Sequence, residues 1–335
     1  MVFEKSPTGC LRLALFLTMI CATSATKLFV VHRRTTLAFA RSSSRVYSRS
    51  RVATYSATAR SSVCHHTIAD TPLGRNEAGA ALLDGLDVYT VPALDDEHPI
   101  SVYGIDSEQP VQADHEDLSA TKLFPVLLLH GRTWSSVPVY HLLGGNQSKN
   151  GQESRSLMET LRDLGLQPYA MDFRGFGGTP PDDTKCVEPL RCVRDTESVL
   201  KWIASRHGVN KERHAEMPAV LGWSQGALVA QLLAQRSPMA LSKLILYGSL
   251  YDPVKSYPRD PLYRTSGDLN DTPTMNQLDE AMEDFTIEGT IPPEPARIFA
   301  EAALLADPVK AVWKHLYQFN NCDPARVHVP TLVVS

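Results

Sequence analysis

The chain has 335 residues, enough for one large α/β domain with an insertion, and its composition is that of an ordinary globular protein. Hydrophobic residues make up 43% and charged residues 21%, and the net charge of −4 gives no indication of nucleic-acid binding. The charge is unevenly distributed, because residues 1–60 hold ten of the 33 basic residues and one of the 37 acidic residues. A basic, Ser-rich segment followed by an acidic body is typical of a targeting sequence.

Residues 1–69 have the pattern of a signal peptide followed by a transit-like segment. The apolar run Leu11–Ala22 follows Lys5 and is too short to span a bilayer comfortably, and Thr23-Ser24-Ala25 supplies small residues for cleavage. We expect delivery through the secretory pathway or to an organelle, a plastid or a mitochondrion. Simple secretion, a mitochondrial presequence and a misassigned start codon are alternatives. We expect no folded structure before about residue 70.

The six cysteines do not have the spacing of a metal site, and we expect neither a metal nor a cofactor. Cys186 and Cys192 could form a small surface disulfide in an exported protein. Two free thiols beside the start of a helix are an equally good interpretation.

Strands and helices alternate through the body of the chain. The near-continuous apolar run Phe124–Leu129 is typical of a central parallel strand, and His130-Gly131 ends it. Ser156 and Glu159 form a capping box that predicts the start of a helix. The other predicted strands are Leu86–Val91, Ile100–Ile105, Gln167–Phe173, Pro218–Leu221, Lys243–Tyr251 and Val327–Val334, and the other predicted helices are Cys192–Arg206 and Gln225–Gln235.

This alternation predicts an α/β fold with a doubly wound, mainly parallel sheet. We assign residues 70–251 to the core, 252–326 to a helical cap, and 327–335 to a returning core strand. The cap is inferred because so long an excursion between two sheet strands exceeds an ordinary loop. It has predicted helices near Asn276–Phe285, Pro295–Leu305 and Pro308–Phe319.

The segment Gly222-Trp223-Ser224-Gln225-Gly226 has the G-x-S-x-G pattern of a nucleophile elbow. An apolar strand-length run precedes it, and a helix with small residues follows it. A serine at such a strand-to-helix turn is backbone-strained, so the flanking positions Gly222 and Gly226 must be small. The following helix directs its free N–H groups towards the serine.

The order of these features resembles that of the α/β-hydrolase superfamily, in the serine esterase and lipase-like branch, over residues 86–335. The resemblance implies an acyl-transfer enzyme with Ser224 as nucleophile. Serine at this position argues against the epoxide hydrolase and haloalkane dehalogenase branches, which use Asp. An ester or thioester substrate is therefore favoured.

The resemblance also implies an oxyanion hole formed by the backbone N–H groups of Gln225 and Arg132. We expect His130 to be a structural hydrogen-bonding residue beneath this hole, and Gly131 to be a turn residue. Trp134, Tyr140 and Trp223 could line an acyl pocket, although core packing is the simpler role for each. The loop Arg174–Gly178 is expected to be structural.

In this superfamily the triad acid and histidine follow the serine along the chain. We expect both beyond Ser335, together with the last strand and helix of the fold, so that the 335 residues are a fragment of a longer protein. His315 belongs to the predicted cap, and His328 precedes its strand, about 20 Å from the Ser224 edge of the sheet. Asp252 is an alternative acid, although a turn residue before Pro253 is the favoured interpretation.

The sequence therefore predicts a serine hydrolase that acts on a small-molecule substrate. We expect no nucleic-acid partner and no stable membrane span, and the oligomeric state is open. A non-catalytic protein of the same fold, which binds a ligand or a partner beneath its cap, is the competing interpretation.

Overall fold

The computed structural model describes residues 77–105, 123–145, 154–209, 211–249, 273–283 and 293–334, together with the backbone of two short strands nearer the N-terminus. Nine strands form one sheet in the order β1-β9-β8-β7-β5-β6-β4-β3-β2. Pairing is parallel from β1 to β6, whereas β4, β3 and β2 pair antiparallel with their neighbours. The strands are β1 Phe29–Val31, β2 Cys64–His65, β3 Asp87–Pro92, β4 Pro99–Gly104, β5 Phe124–Leu129, β6 Leu166–Met171, β7 Ala219–Trp223, β8 Lys243–Tyr247 and β9 Thr331–Val334.

The central strand β5 divides the core into two layers. Successive side chains of a strand point to opposite faces, so Leu127 and Leu129 belong to one buried cluster while Val126 and Leu128 belong to the other. Helices cover both faces, as the alternating sequence predicted. The helices are α1 Glu77–Leu82, α2 Ser136–Tyr140, α3 Leu157–Asp163, α4 Pro189–Arg206, α5 Gln225–Arg236, α6 Leu278–Glu283 and α7 Pro293–Ala306.

The helix α3 begins at the predicted N-cap. The Ser156 hydroxyl accepts a hydrogen bond from the Glu159 backbone N–H at 3.0 Å. In a capping box the Glu159 carboxylate would also accept from the Ser156 N–H. Here it accepts instead from the Gly145 N–H at 2.6 Å and from the Ser154 hydroxyl. Glu159 therefore ties the start of α3 to the loop that follows α2.

The strands β1 and β2 lie inside the segment for which the sequence predicted no folded structure. The backbone of Phe29–Val31 pairs in parallel with Leu332, Val333 and Val334 of β9. The backbone of Cys64–His65 pairs antiparallel with Thr90 and Tyr89 of β3. One short strand is thus added beside β9 and another beside β3, within a segment where the sequence led us to expect no folded structure.

The predicted cap segment is divided between the two faces of the sheet. Helix α7 packs against α2, and Phe299 meets Trp134 edge-to-face with ring centroids 6.3 Å apart. On the opposite face Trp313 and Phe319 are buried among α4 and α5. The described parts of this segment are thus also part of the core packing. Residues 250–272 and 284–292 lie outside the described residues.

The prediction of a helix over Pro308–Phe319 was wrong. Its backbone is extended through Val312 and Trp313, where the Val187 N–H donates to Val312 O at 2.8 Å and the Lys314 N–H donates to Val187 O at 2.9 Å. A 3₁₀-helix, Leu316–Asn321, follows. Pairing with the chain just before α4 replaces helical bonds here and buries the Trp313 ring.

Within the described ranges Cys186 and Cys192 are free thiols, so the interpretation of these two residues as a disulfide was wrong. Among the helices that the structure describes, none is long and apolar enough to cross a bilayer. The described residues also contain no cluster of three or more His, Cys, Asp or Glu side chains suited to a metal ion.

Arg174 joins the loop after β6 to α4 and to the turn between β3 and β4. Its guanidinium binds Asp195 through Nε and Nη2 at 2.9 and 2.8 Å, and binds Asp96 through Nη1 at 2.7 Å. The side chains of Arg174 and Asp195 are 2% and 1% exposed. These hydrogen bonds hold the pKa of Asp96 well below its ordinary value. The loop Arg174–Gly178 is thus anchored structurally, as the sequence predicted.

Replacing Arg174 is expected to destabilise the fold strongly. Arg174→Met leaves the buried Asp195 carboxylate unpaired, and we expect a loss of about 3–5 kcal/mol in the free energy of unfolding measured with urea. Arg191→Met is the matched control, because Arg191 binds Asp95 and Asp96 at the surface and its loss should cost less than about 1 kcal/mol. Equal losses in the two variants would contradict this assignment.

Candidate active site

Ser224 lies at the sharp turn between β7 and α5, as the G-x-S-x-G pattern predicted. Its backbone has φ 54° and ψ −118°, a strained conformation for a residue other than glycine. The Ser224 N–H donates to Tyr247 O of β8 at 2.9 Å, and Ser224 O accepts from the Ala227 N–H at 3.0 Å. These two bonds hold the strained residue between the end of the sheet and the first turn of α5.

The two glycines of the pattern allow the helix to return directly over the sheet. A Cβ on Gly226 would overlap His130 O and lie 2.6 Å from Leu129 O. A Cβ on Gly222 would lie 2.7 Å from Ala227 Cα. Both contacts are with backbone atoms, so neither can be relieved by a side-chain rotation.

The loop after β5 lies directly beside the serine. A Cβ placed on Gly131 would be 3.4 Å from Ser224 Cβ and 3.1 Å from the Trp223 ring. This close approach places Arg132, the next residue, within the same small region as Ser224. The two strand ends that the sequence singled out, after β5 and after β7, thus lie next to each other.

The two backbone N–H groups predicted to form an oxyanion hole are both available. Gln225 is the first residue of α5, so its N–H has no acceptor within the helix. Among the described residues, the N–H groups of Gln225 and Arg132 donate no hydrogen bond. The Ser224 hydroxyl is likewise unbonded within this set. The Ser224 hydroxyl and the N–H groups of Gln225 and Arg132 are therefore free at neighbouring positions, an arrangement suited to binding a carbonyl group.

His130 orients the peptide that carries the Arg132 N–H. Its Nε2 accepts from the Phe173 N–H at 3.0 Å, which leaves Nδ1 as the protonated nitrogen. Nδ1–H then donates to Gly131 O at 2.9 Å. Because C=O and N–H point in opposite directions across a trans peptide, this bond turns the Arg132 N–H away from His130. Complete burial lowers the pKa of His130 to about 3, so the ring stays neutral.

Trp313 holds the next peptide of the same loop. Its Nε1–H donates to Arg132 O at 3.0 Å, and its ring packs edge-to-face on Phe173. The sequence assigned Trp313 to a cap helix and so missed this contact. Only the long-range pairing of its segment with Val187 brings the indole to the loop.

The aromatic residues considered for an acyl pocket separate into two groups. Trp134 is 2% exposed, and Tyr140 is fully buried with its hydroxyl donating to Leu129 O at 2.7 Å. Both are core residues, in agreement with the simpler expectation. Trp223 is half-buried beside Gly131, and so it can present part of its ring to a ligand.

Within the described ranges no histidine lies in position to take the Ser224 proton. His315 is 3.6 Å from the Glu188 carboxylate and stacks on Tyr317. His328 is exposed before β9, at the edge of the sheet opposite Ser224, as its sequence position predicted. The alternative acid Asp252 lies outside the described residues.

Gly226→Ala tests the packing of the turn. Its Cβ meets backbone carbonyls that cannot move without displacing β5, so we expect a loss of about 3 kcal/mol or more, measured as a lowered Tm. Gly208→Ala is the matched control, because Gly208 has φ 58° and open space around it, and should lose only about 1–2 kcal/mol. A Gly226 variant as stable as the control would contradict the contact.

His130→Gln tests the neutral imidazole. At about pH 7 we expect the variant to be less stable by about 1–3 kcal/mol, because Gln cannot satisfy both Gly131 O and the Phe173 N–H. The pKa of His130 is depressed on folding, so its contribution is present above about pH 6.5 and is lost as the pH falls towards 3. The difference in the free energy of unfolding between wild type and His130→Gln, measured with urea, should therefore be smaller at about pH 5 than at about pH 7.

The matched control for this test is His328→Gln, which changes an exposed histidine and should alter stability little at either pH. A stability difference between wild type and His130→Gln that stays constant from about pH 7 to about pH 5 would show that folding does not lower the pKa of His130.

Comparison with known proteins supports the fold. A sequence model of a family described as serine aminopeptidase, S33, matches residues 139–277, a range that contains the Ser224 turn. No curated protein sequence matches the chain.

Several solved structures are similar. The thioesterase domain from the curacin biosynthetic pathway has 13% identity and a TM-score of 0.42 over 75% of this chain and 83% of that one. E-2-(acetamidomethylene)succinate hydrolase has 16% identity and a TM-score of 0.43 over 74% and 80%. Epoxide hydrolase A from Mycobacterium thermoresistibile has 17% identity and a TM-score of 0.32 over 48% and 39%. The chain thus spans well under half of that epoxide hydrolase.

The order and direction of the strands, with the position of the serine turn, identify the fold. A parallel sheet is flanked on one side by the antiparallel strands β4, β3 and β2, and the serine turn follows strand β7, inside the segment matched by the family model. By its sheet, its serine turn and this match, the chain has the α/β-hydrolase fold.

Proposed function

We propose that this protein is a serine hydrolase that cleaves a carboxylic ester or thioester through an acyl-enzyme on Ser224. The proposal rests above all on the strained Ser224 turn, where a free hydroxyl lies beside the free N–H groups of Gln225 and Arg132. Strain of this kind persists only where the surrounding structure enforces it, and it is concentrated at functional sites.

In the proposed reaction Ser224 Oγ attacks the carbonyl carbon, and its proton passes to a general base. The carbonyl oxygen becomes an oxyanion that accepts hydrogen bonds from the Gln225 and Arg132 N–H groups. Collapse of this intermediate breaks the bond to the leaving alcohol or thiol, which takes the proton from the base. Water then attacks the acyl group and releases the acid and free Ser224. The proposal requires a base from outside the described residues.

The substrate is proposed to be a small molecule bound against the exposed part of Trp223. The serine aminopeptidase family of the matching model adds amides to the classes that should be tested. The preference for esters and thioesters follows from the lower barrier that their leaving groups present to an acyl-enzyme route.

A non-catalytic ligand-binding role is the second candidate. It is favoured by one observation: among the described residues no histidine is placed to take the Ser224 proton, since His130, beside Ser224, has both ring nitrogens bonded to backbone groups. The two candidates differ in whether the serine reacts covalently, and an acylating probe distinguishes them.

A fluorophosphonate probe should label the full-length protein at Ser224, because it captures activated serine nucleophiles. Labelling should disappear in Ser224→Ala and persist in Ser205→Ala, which removes an exposed serine from α4. Hydrolysis of a panel of aryl esters, thioesters and amides should follow the same pattern, because Ser224→Ala removes the nucleophile. A folded protein that is not labelled would overturn the enzymatic proposal in favour of ligand binding.

A further inference from the structure

Two carboxyl groups, Asp172 and Asp307, are buried at the edge of the sheet that carries Ser224. Asp172 directly follows β6 and is completely buried, whereas Asp307 directly follows α7 and is 4% exposed. Neither was singled out by the sequence, and the proposed mechanism does not use either of them. A buried carboxyl group requires a specific reason, because burial disfavours its charged form.

Asp172 joins three elements. One oxygen accepts from the Ser136 N–H at 2.8 Å, and the other accepts from the Tyr103 hydroxyl at 2.7 Å and from the Gly178 N–H at 3.0 Å. The first contact is at the start of α2, the second on β4, and the third in the loop after β6. Asp172 therefore holds these backbone segments in a fixed arrangement.

Asp307 binds the two residues adjacent to those donors. Its oxygens accept from the Ser135 N–H at 2.7 Å and from the Gly177 N–H at 2.9 Å. In each of the two segments, one N–H donates to Asp307 and the next N–H donates to Asp172. These are Ser135 and Ser136 in the first segment, and Gly177 and Gly178 in the second. Asn276 adds a further tie, since its amide donates to the Asp307 backbone carbonyl at 2.7 Å. The end of α7 is in this way fastened to both loops.

No cation balances the pair within the described residues. The titratable groups that face each carboxyl are the other carboxyl and Tyr103 from β4. Neither Asp172 nor Asp307 forms an ion pair with a described Lys, Arg or His. Tyr103 stays neutral, because burial holds its pKa well above the ordinary value. Two negative charges in this position would repel each other at low dielectric.

We propose that Asp172 and Asp307 bind one proton between them near neutral pH, and that this pair is a clamp fastening α7 to the two loops beside Ser224. Both are positioning residues. The clamp fixes Ser135, three residues after Arg132, and so holds the loop that carries the predicted oxyanion donor. Its effect on reactivity rests on the proposed function, whereas its effect on stability does not.

The clamp weakens as the pH rises. Burial raises the pKa of Asp172 to about 6, and burial with the charge of Asp172 raises the pKa of Asp307 to about 7. In the pH range from 3.8, the pKa of Asp in the unfolded chain, to about 7, the folded protein holds protons that the unfolded chain has released. The stabilising contribution is therefore complete below about pH 4 and is lost as the pH rises through 6 and 7.

Asp307→Asn tests the clamp, because an amide of the same shape cannot ionise. The unfolding equilibrium constant of wild type, divided by that of the variant, should rise by up to about tenfold per pH unit between about pH 5 and 7. Asp279→Asn, an exposed change on α6, is the matched control and should follow wild type at every pH. A folded Asp307 variant whose ratio to wild type stays constant would overturn the proposal.

A second measurement does not depend on a variant that folds. Infrared difference spectra of the wild-type protein should contain the carbonyl band of a buried protonated carboxyl at about pH 6.5, and the band should be lost by about pH 8. Its absence at the lower pH would overturn the proposal. Fluorophosphonate labelling, measured on the same samples, reports on the proposed function separately, because a protein that is never labelled can still show the band.

Discussion

The contact between Gly226 and the carbonyl end of β5 is the constraint on which the site depends. Because the helix backbone at Gly226 lies against the Leu129 and His130 carbonyl groups, α5 must begin immediately after β7. That leaves a single residue, Ser224, to make the turn, and its φ of 54° is the consequence. The same contact leaves the N–H of Gln225 unpaired beside the serine.

The loop on the other side of Ser224 is held by three independent groups. His130 orients the Gly131 peptide, Trp313 binds the Arg132 carbonyl, and Asp307 binds the Ser135 N–H. These groups come from β5, from the segment that pairs with Val187, and from the end of α7. A short loop without regular structure is thereby fixed by buried hydrogen bonds, as a preorganised donor requires.

Local patterns in the sequence predicted the parts of the site that local chemistry determines. Apolar runs of strand length located β5 and β7, the flanking glycines located the Ser224 turn, and Ser156 with Glu159 located the start of α3. The supports of the site could not be predicted in this way. Asp307 and Trp313 reach the β5 loop only through packing between segments far apart in sequence, and a lone buried Asp or Trp has no periodicity that reveals its partner. The prediction of a helix over Pro308–Phe319 was wrong for the same reason, since its backbone pairs with the distant residue Val187 instead of forming helical bonds.

The electrostatic groups that hold the loop have opposite dependences on pH. The depressed pKa of His130 makes the folded state more stable as the pH rises from about 3 to 6.5, whereas the raised pKa values of Asp172 and Asp307 make it less stable over almost the same interval. The two contributions therefore partly cancel, so that a fold with a buried imidazole and two buried carboxyls can keep an even stability in mild acid. Both dependences have one cause, the exclusion of water from the edge of the sheet around Ser224. A stability that changes little with pH in the wild-type protein is consequently compatible with strongly shifted pKa values at this edge. Only variants that remove either His130 or one of the two carboxyl groups separate the two contributions.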